Sequence, residues 1–286
     1  MEELIGRTLE EIQIEEVKAH HQMAVAPLFF ASQHGPNYLT LSQGFENGDL
    51  IVQEISEGGS VPDLSVTNNG NQFVLLLDGE EIRGAKQNRA LNTSVLVAPK
   101  ARIIIPVSCT EQGRWNYTTK NFEDSGVLMA RLLRSKKQAA VTRSVRETKS
   151  YRSDQGEVWE DVASLHSDLG STSGTGAMRD AYESRKAEID DYIKAFSNIG
   201  QPNGIAVFLG GQLAGLDLLS YSSAMENLLP KIIGSYAMDA LRIKQQERPH
   251  KPSKQDVRTF LAKAGRCTVE AHASQRHGED ARLVGK

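Results

Sequence analysis

Cysteine is scarce in this sequence: Cys109 and Cys267 are the only two, and they lie far apart. A disulfide framework is therefore excluded as a source of stability, and the pair fits a reduced, cytoplasmic protein. Long apolar runs are also missing. Residues 205–209 form one of the longest, and Gly210 ends it, far short of a membrane span. The first residues, MEELIGRTLEEIQIEE, are acidic and lack a basic stretch followed by an apolar core, so no signal peptide is expected. Neither sign of charge is in large excess. A formal net charge of -3 and a pI near 6.2 argue against a general nucleic-acid binder. His20, His21, His34, His166, His250, His272 and His277 form no recognised zinc spacing with Cys or Glu, so no metal is expected. No internal period marks a repeat protein.

What remains is an ordinary globular composition, with 39% hydrophobic and 24% charged residues over 286 positions. That is enough chain for one large domain or two smaller ones. Short apolar runs broken by turn residues fill the stretch from about residue 10 to 115. Asn68-Asn69-Gly70 is a tight-turn signal, and Gly35-Pro36-Asn37 another. The connections are too short for helical crossovers, which predicts antiparallel strands in a sandwich-like sheet.

From Gly126 the spacing turns helical. Leu128, Met129, Leu132 and Leu133 share a face, but Lys136, Arg143 and Arg146 fall on it too, so a bend or break is expected near residues 135–137. Residues 131–152 carry eight Lys or Arg against one acid, read as a solvated helix face or an anion or RNA contact. Ser171–Gly176 reads as a flexible connector, with a phosphate cradle as its minor alternative. Met178, Tyr182, Ile189, Ile193 and Phe196 mark one further helix. Residues 205–219 predict a hairpin turning at Gly210-Gly211. Ser223 to Glu226 has capping-box spacing, and Pro230 starts or kinks the long helix that follows. Pro249 and Pro252 mark a loop, and residues 267–284 a last hairpin that could pair with the opening sheet. The expected class is α+β: a mostly antiparallel β N-terminal half, a helical middle, then a hairpin, a long helix and closing strands. It is read as a single domain over 1–286, with 126–200 as a helical insertion or subdomain.

The chemistry concentrates between Phe73 and Trp115. Three strand-like runs there, 73–77, 94–97 and 103–107, alternate with polar segments. Glu111 and Glu80 are candidate general acids or bases, and Glu81 adds a further carboxylate. Cys109 is a candidate nucleophile if Arg89 or Arg114 stabilises a thiolate; the plainer reading is a buried thiol. Gln87, Arg89, Asn92 and Arg114 are candidate ligand-binding groups suited to phosphate, carboxylate or ribose, with Trp115 to stack or to fill a core. The opposing reading makes this polar block a buried network that holds strands together in a scaffold or interaction protein.

GAKQNRALN at 84–92, Leu96-Val97-Ala98-Pro99 and above all PVSCTEQGRW at 106–115 resemble the ARG and rhodanese-phosphatase-superfamily-associated protein domain family. Gly215-Leu216-Asp217, Leu229-Pro230-Lys231 and Ser235-Tyr236-Ala237 resemble its C-terminal block. The resemblance implies a role near ADP-ribose or NAD-derived metabolism by association, and adds Asp217 as a ligand-binding candidate, with Tyr236 as a further matching position. It assigns no catalytic residue and no cofactor. The partner expected is a nucleotide-derived small molecule, with neither membrane nor nucleic acid.

Overall fold

The computed structural model describes residues 2–31, 35–56, 58–243, 250–274 and 279–284. His34, Pro249 and His277 lie outside the described residues. Two compact units emerge, one from residues 36–186 and one built mainly from 1–35 and 187–273. The chain opens with α1 (Glu2–Glu11), β1 (Gln13–Ile14), β2 (Lys18–His20) and β3 (Met23–Phe29). The 36–186 unit follows with β4 (Tyr38–Thr40), α2 (Leu41–Glu46), β5 (Leu50–Glu54), β6 (Asp63–Asn68), β7 (Phe73–Leu76) and β8 (Glu80–Gly84). It continues through β9 (Arg89–Leu91), β10 (Val95–Val97), β11 (Arg102–Cys109), β12 (Phe122–Leu128), α3 (Arg131–Thr148), α4 (Gln155–Leu169) and α5 (Met178–Ser184). The remaining elements are α6 (Lys186–Ala195), β13 (Gly204–Leu209), β14 (Gln212–Leu218), α7 (Ser222–Ala240), α8 (Lys254–Ala264), β15 (Thr268–Ala273) and β16 (Glu279–Val284).

In the 36–186 unit a six-stranded sheet, β12-β8-β9-β11-β6-β5, faces a three-stranded one, β10-β7-β4. Strand alternation explains their shared core. Leu64 and Val66 of β6 and Ile103, Ile105 and Val107 of β11 point inward to meet Val74, Leu76, Val95 and Val97 of the smaller sheet. Ile104, between two of them, stays 54% exposed. Pairing is antiparallel except for β4 with β7, so the α+β, sandwich-like expectation holds with one parallel exception. Tyr38–Thr40 is both strand and helix entry, because Thr40 accepts from the Gln43 amide while Gln43 returns the bond, a capping box.

Several local expectations fail here, each for a tertiary reason. Residues 80–92 are not a polar connector but strands β8 and β9, in which Glu80, Glu81 and Arg89 are buried and Arg83 is exposed. The β structure does not end at Gly126; β12 runs to Leu128. Helix α3 is unbroken, because its stripe is Leu133, Lys137, Ala140, Val141 and Val145. Lys137 belongs to the buried face: its ammonium meets Asp78 at 2.5 Å and the Leu91 carbonyl at 2.7 Å. Burial pushes the Asp78 carboxyl up, but Lys137 and Arg134 outweigh that and hold it below the usual range. Of the basic segment, Arg134, Lys136, Lys137, Arg143 and Arg152 are ion-paired within the unit. The expected single helix over 178–196 is two, α5 and α6, and the units divide between them, not at the ends of a 126–200 insertion.

In the other unit β3 pairs with β1, β2 and β13, and β14 completes the sheet. Residues 23–28 are buried throughout, as a strand covered on both faces requires. α7 packs on β13 and β3, while Val257 and Leu261 of α8 share a core with Ala26, Leu28 and Phe208. The predicted hairpin forms through Gly210 and Gly211, both left-handed; a Cβ at Gly211 would lie 2.4 Å from the His250 carbonyl oxygen. α7 starts at Ser222 without a side-chain cap, so the Ser223 capping box is absent, and Pro230 sits inside the helix. The opening sheet takes the 204–218 hairpin as its partner; β15 and β16 pair with each other. Among the described residues no helix is long and apolar enough to cross a membrane.

Candidate functional site

β8 and β9 turn back on each other through Gly84 (φ 115°) and Ala85 (φ 39°), and a Cβ at Gly84 would strike Thr119 Oγ1 at 2.4 Å. The pairing Ile82↔Arg89 and Cys109↔Arg89 puts Arg89 on the inner face of the sheet. Glu81↔Ala90 and Ser108↔Ala90 share the opposite face. Sequence neighbours thus reach different surroundings, and the candidate residues separate into distinct groups.

Glu111 and Arg114 form the first group. Glu111 is 5% exposed, and Arg114 donates to its carboxylate from Nε (3.0 Å to each oxygen) and Nη2 (2.7 Å). The Asn88 amide and Thr175 Oγ1 complete the shell at 3.1 and 2.8 Å. Burial pushes this carboxyl up, and Arg114, Thr175 and Asn88 more than reverse it, so Glu111 is held below the usual carboxylate range. Arg114 also donates to the carbonyls of Ala85, Asn116 and Gly84, which close the β8–β9 turn and its neighbour. Both residues line a cleft of about 300 Å³, but their hydrogen-bonding capacity is already used. Residues 171–176 belong to this group and are an ordered arm. Gly113 N–H donates to the Thr175 carbonyl at 2.7 Å, and Ser173 Oγ takes the Thr175 and Ala177 amides that a phosphate cradle would need. Thr175→Val is expected to cost about 2 kcal/mol, as loss of a hydrogen bond to a charged group does; urea denaturation measures it.

Arg89 and Cys109 form the second group. Arg89 Nη1 donates to Gln87 Oε1 (2.7 Å) and to Cys109 Sγ (2.9 Å). Its Nη2 lies 3.6 Å from Glu54 Oε1, and Trp115 covers it at 5.5 Å from the ring centroid. The Glu54 and Arg89 side chains are 3% and 0% exposed. Neither Glu54 oxygen makes a hydrogen bond, and neither do Arg89 Nε and Nη2. Burial pushes the Cys109 thiol up, Arg89 pulls it down and Glu54 pushes it up again. The sulfur is therefore an enclosed, neutral thiol near pH 7, which is poor chemistry for a nucleophile. Lys86 lies over both Trp115 and Tyr117, 5.2 Å from each centroid, and donates to the Gly58 carbonyl.

Glu80 is fully buried and caps its own turn by accepting from the Leu77 amide at 2.8 Å, which leaves it no route to a ligand. Glu81, on the other face, accepts from Thr110 Oγ1 at 2.6 Å. Its Oε2 makes no hydrogen bond, and Ser125 also acts on the carboxyl. Burial pushes its carboxyl up to about 7. Asn92 is structural: it donates to the Tyr151 carbonyl and accepts from Ser108. Asp217 lies in the other unit and accepts from Tyr236 Oη at 2.8 Å.

The residues that sequence reasoning passed over surround a cleft of about 780 Å³: Glu54, Ser56, Arg102, Tyr117, Thr118, Thr119 and Lys120. Glu54 carried one legible signal, because Leu50, Val52 and Glu54 share a strand face that ought to be apolar. No curated protein and no solved structure matches the chain. A family model does match, over residues 11–286, and the signature stretch at 106–115 is the part whose network has just been described. The chain belongs to the ARG and Rhodanese-Phosphatase-superfamily-associated Protein domain family.

Proposed function

We propose that the 36–186 unit binds a small anionic, nucleotide-like molecule of the ADP-ribose or NAD-derived class in the 780 Å³ cleft. The observation that carries this reading is Glu54, a buried carboxylate lining the cleft whose ionic partner Arg89 stands 3.6 Å away and neither of whose oxygens accepts a hydrogen bond. Such a group is costly unless something donates to it, and the two hydroxyls of a ribose are donors of the right kind. Arg102 and Lys120 supply positive charge on the same cleft, and Tyr117 offers a ring 46% exposed. The binding candidates shift accordingly. Arg89, with Gln87, backs the cleft through Glu54, while Arg114 is spent on Glu111 and Asp217 is elsewhere in the chain.

Calorimetric titration with ADP-ribose, NAD and AMP tests the proposal. Binding is expected at about 1 mM ligand or below, where about −4 kcal/mol suffices. Lys120→Glu is expected to weaken it about tenfold without lowering the melting temperature. Silence from all three ligands at that concentration would end this reading.

A second reading rests on the saturated Glu111–Arg114 pair: the signature stretch is a network that specifies the fold, as in a non-catalytic scaffold. It predicts that Arg114→Ala lowers stability sharply. Intact melting with lost binding counts against it.

A further inference from the structure

The other unit contains a cluster that neither the signature stretch nor the cleft explains. His20 ends β2, and the two-residue turn to β3 runs through His21 and Gln22. Adjacent strand residues point to opposite faces, yet these two imidazoles converge. His21 takes φ 47°, a left-handed conformation that glycine or asparagine normally fills in such turns. His20 Nε2 then lies 2.6 Å from Asp191 Oδ2, and His21 Nε2 lies 3.4 Å from the same oxygen. One ligand atom from each of the three residues lies within 4.8 Å of the other two.

The arrangement is held from behind. The His20 and His21 rings are 4.1 Å apart, and each meets the Tyr192 ring edge-on, at 5.5 and 5.9 Å. The Tyr192 hydroxyl is hydrogen-bonded to the Gln22 backbone, which ties the turn to α6. Asp191 is half exposed and His21 more so. An exposed ion pair adds little stability, and one histidine would be enough to make it. A second imidazole on the same oxygen, placed by a strained backbone, is poorly explained as a staple.

We infer that His20, His21 and Asp191 form a binding site for a divalent first-row transition cation of the zinc type. Two neutral imidazole nitrogens and one carboxylate oxygen suit such an ion, whereas magnesium and calcium take oxygen ligands. Three protein ligands leave at least one coordination position open, the pattern of a site that receives water or substrate. His21 and Asp191 line a cavity of about 490 Å³, together with Gln22, Tyr192 and Leu241. Glu188, one helical turn before Asp191 on α6, lines it as well and offers a further carboxylate. To bind, the ion replaces the His20–Asp191 hydrogen bond, and His20 presents an unprotonated Nε2 with its proton on Nδ1.

The test is calorimetric titration of the chelator-stripped full chain with zinc sulfate, and with cobalt(II) followed by its visible absorption. One equivalent is expected to bind with a dissociation constant below about 100 µM. His21→Gly suits the left-handed turn and removes one ligand; Asp191→Asn keeps the shape and removes the charge. Each is expected to weaken binding by about 100-fold, at or beyond what loss of an outer-shell partner costs. Cys267→Ser, the control for a thiol ligand, is expected to leave binding unchanged. Zinc should raise the melting temperature of the wild type and not that of His21→Gly. Binding weaker than the stated threshold, or equal binding by wild type and both ligand variants, overturns the inference.

Discussion

Glu81→Gln is expected to stabilise the protein at alkaline pH relative to wild type and to confer no such advantage in acid. Glu81 is fully buried, and its carboxyl is pushed from the ordinary 4.5 up to about 7, chiefly by burial, against the pull of Thr110, Ser125 and Arg179. A carboxyl whose folded-state pKa exceeds its unfolded value binds its proton more tightly when folded. Its contribution is therefore fully present below the unfolded value of 4.5, declines as pH rises, and is lost once pH passes about 7. A shift of that size corresponds to roughly 3 kcal/mol. Glutamine cannot ionise, keeps an oxygen for Thr110, and removes the pH dependence. The readout is the difference between wild type and variant in urea denaturation at about pH 4 and about pH 8, which cancels any pH-independent cost of the amide. Trp115 and Trp159 both lie in the 36–186 unit, so tryptophan fluorescence reports the unit that contains Glu81. Equal differences at the two pH values would show that Glu81 titrates normally.

Arg114→Ala is expected to produce the largest loss of stability, about 3–5 kcal/mol, as removal of one member of a buried ion pair does. Three of the hydrogen bonds to the Glu111 carboxylate come from this guanidinium, and the carbonyls of Gly84 and Asn116 lose a donor with it, as does that of Ala85, which keeps the Thr118 amide. At about 2–4 °C per kcal/mol for a chain of this size, the fluorescence melting midpoint should fall by about 10 °C. Lysine should recover little, because a single ammonium cannot span a carboxylate and three carbonyls as a planar fork does. Acid sensitivity has the opposite sign from that of Glu81. The Glu111 carboxyl is held below its ordinary 4.5, so its stabilisation is present above that value and is lost as pH falls through the depressed one. The variant should lose that acid-labile component. A midpoint within a degree or two of wild type would remove the case for a structural network.

The two carboxylates show why the candidate site could be located in the sequence but not interpreted there. Glu80, Glu81, Arg89, Glu111 and Arg114 crowd one short stretch, and that crowding is visible in the bare sequence. Their roles diverge because strand alternation sends Arg89 inward to Glu54 and Glu81 outward to Thr110, while Glu80 folds back on its own turn. Strands β8 and β9 are hard to recognise for the same reason, since Glu80, Glu81 and Arg89 are buried among few of the apolar residues that mark a strand. Helix α3 reads as broken because Leu128 and Met129, which precede it, set a face shared by Lys136, Arg143 and Arg146; the buried face instead takes in Lys137, whose partner Asp78 is 59 residues away. Helix α8 was a different kind of miss: Ser253 and Asp256 form a capping box after Pro252, a local signal that the long-helix pattern before it had overshadowed.

Local order alone determined the α+β class, the glycine-pair hairpin at 210–211, the strand runs at 73–77, 94–97 and 103–107 and the family membership. Each depends on residues a few positions apart, where turn chemistry and side-chain period act directly. Tertiary structure alone decided which polar groups are satisfied. The Glu54 carboxylate that accepts no hydrogen bond, the Arg114 donors to Gly84, Ala85 and Asn88, and the meeting of His20 and His21 with Asp191 depend on partners 26 to 171 residues apart. The free energy of a buried charge is set by whether a partner reaches it, and that partner is specified by the fold and not by the neighbouring letters.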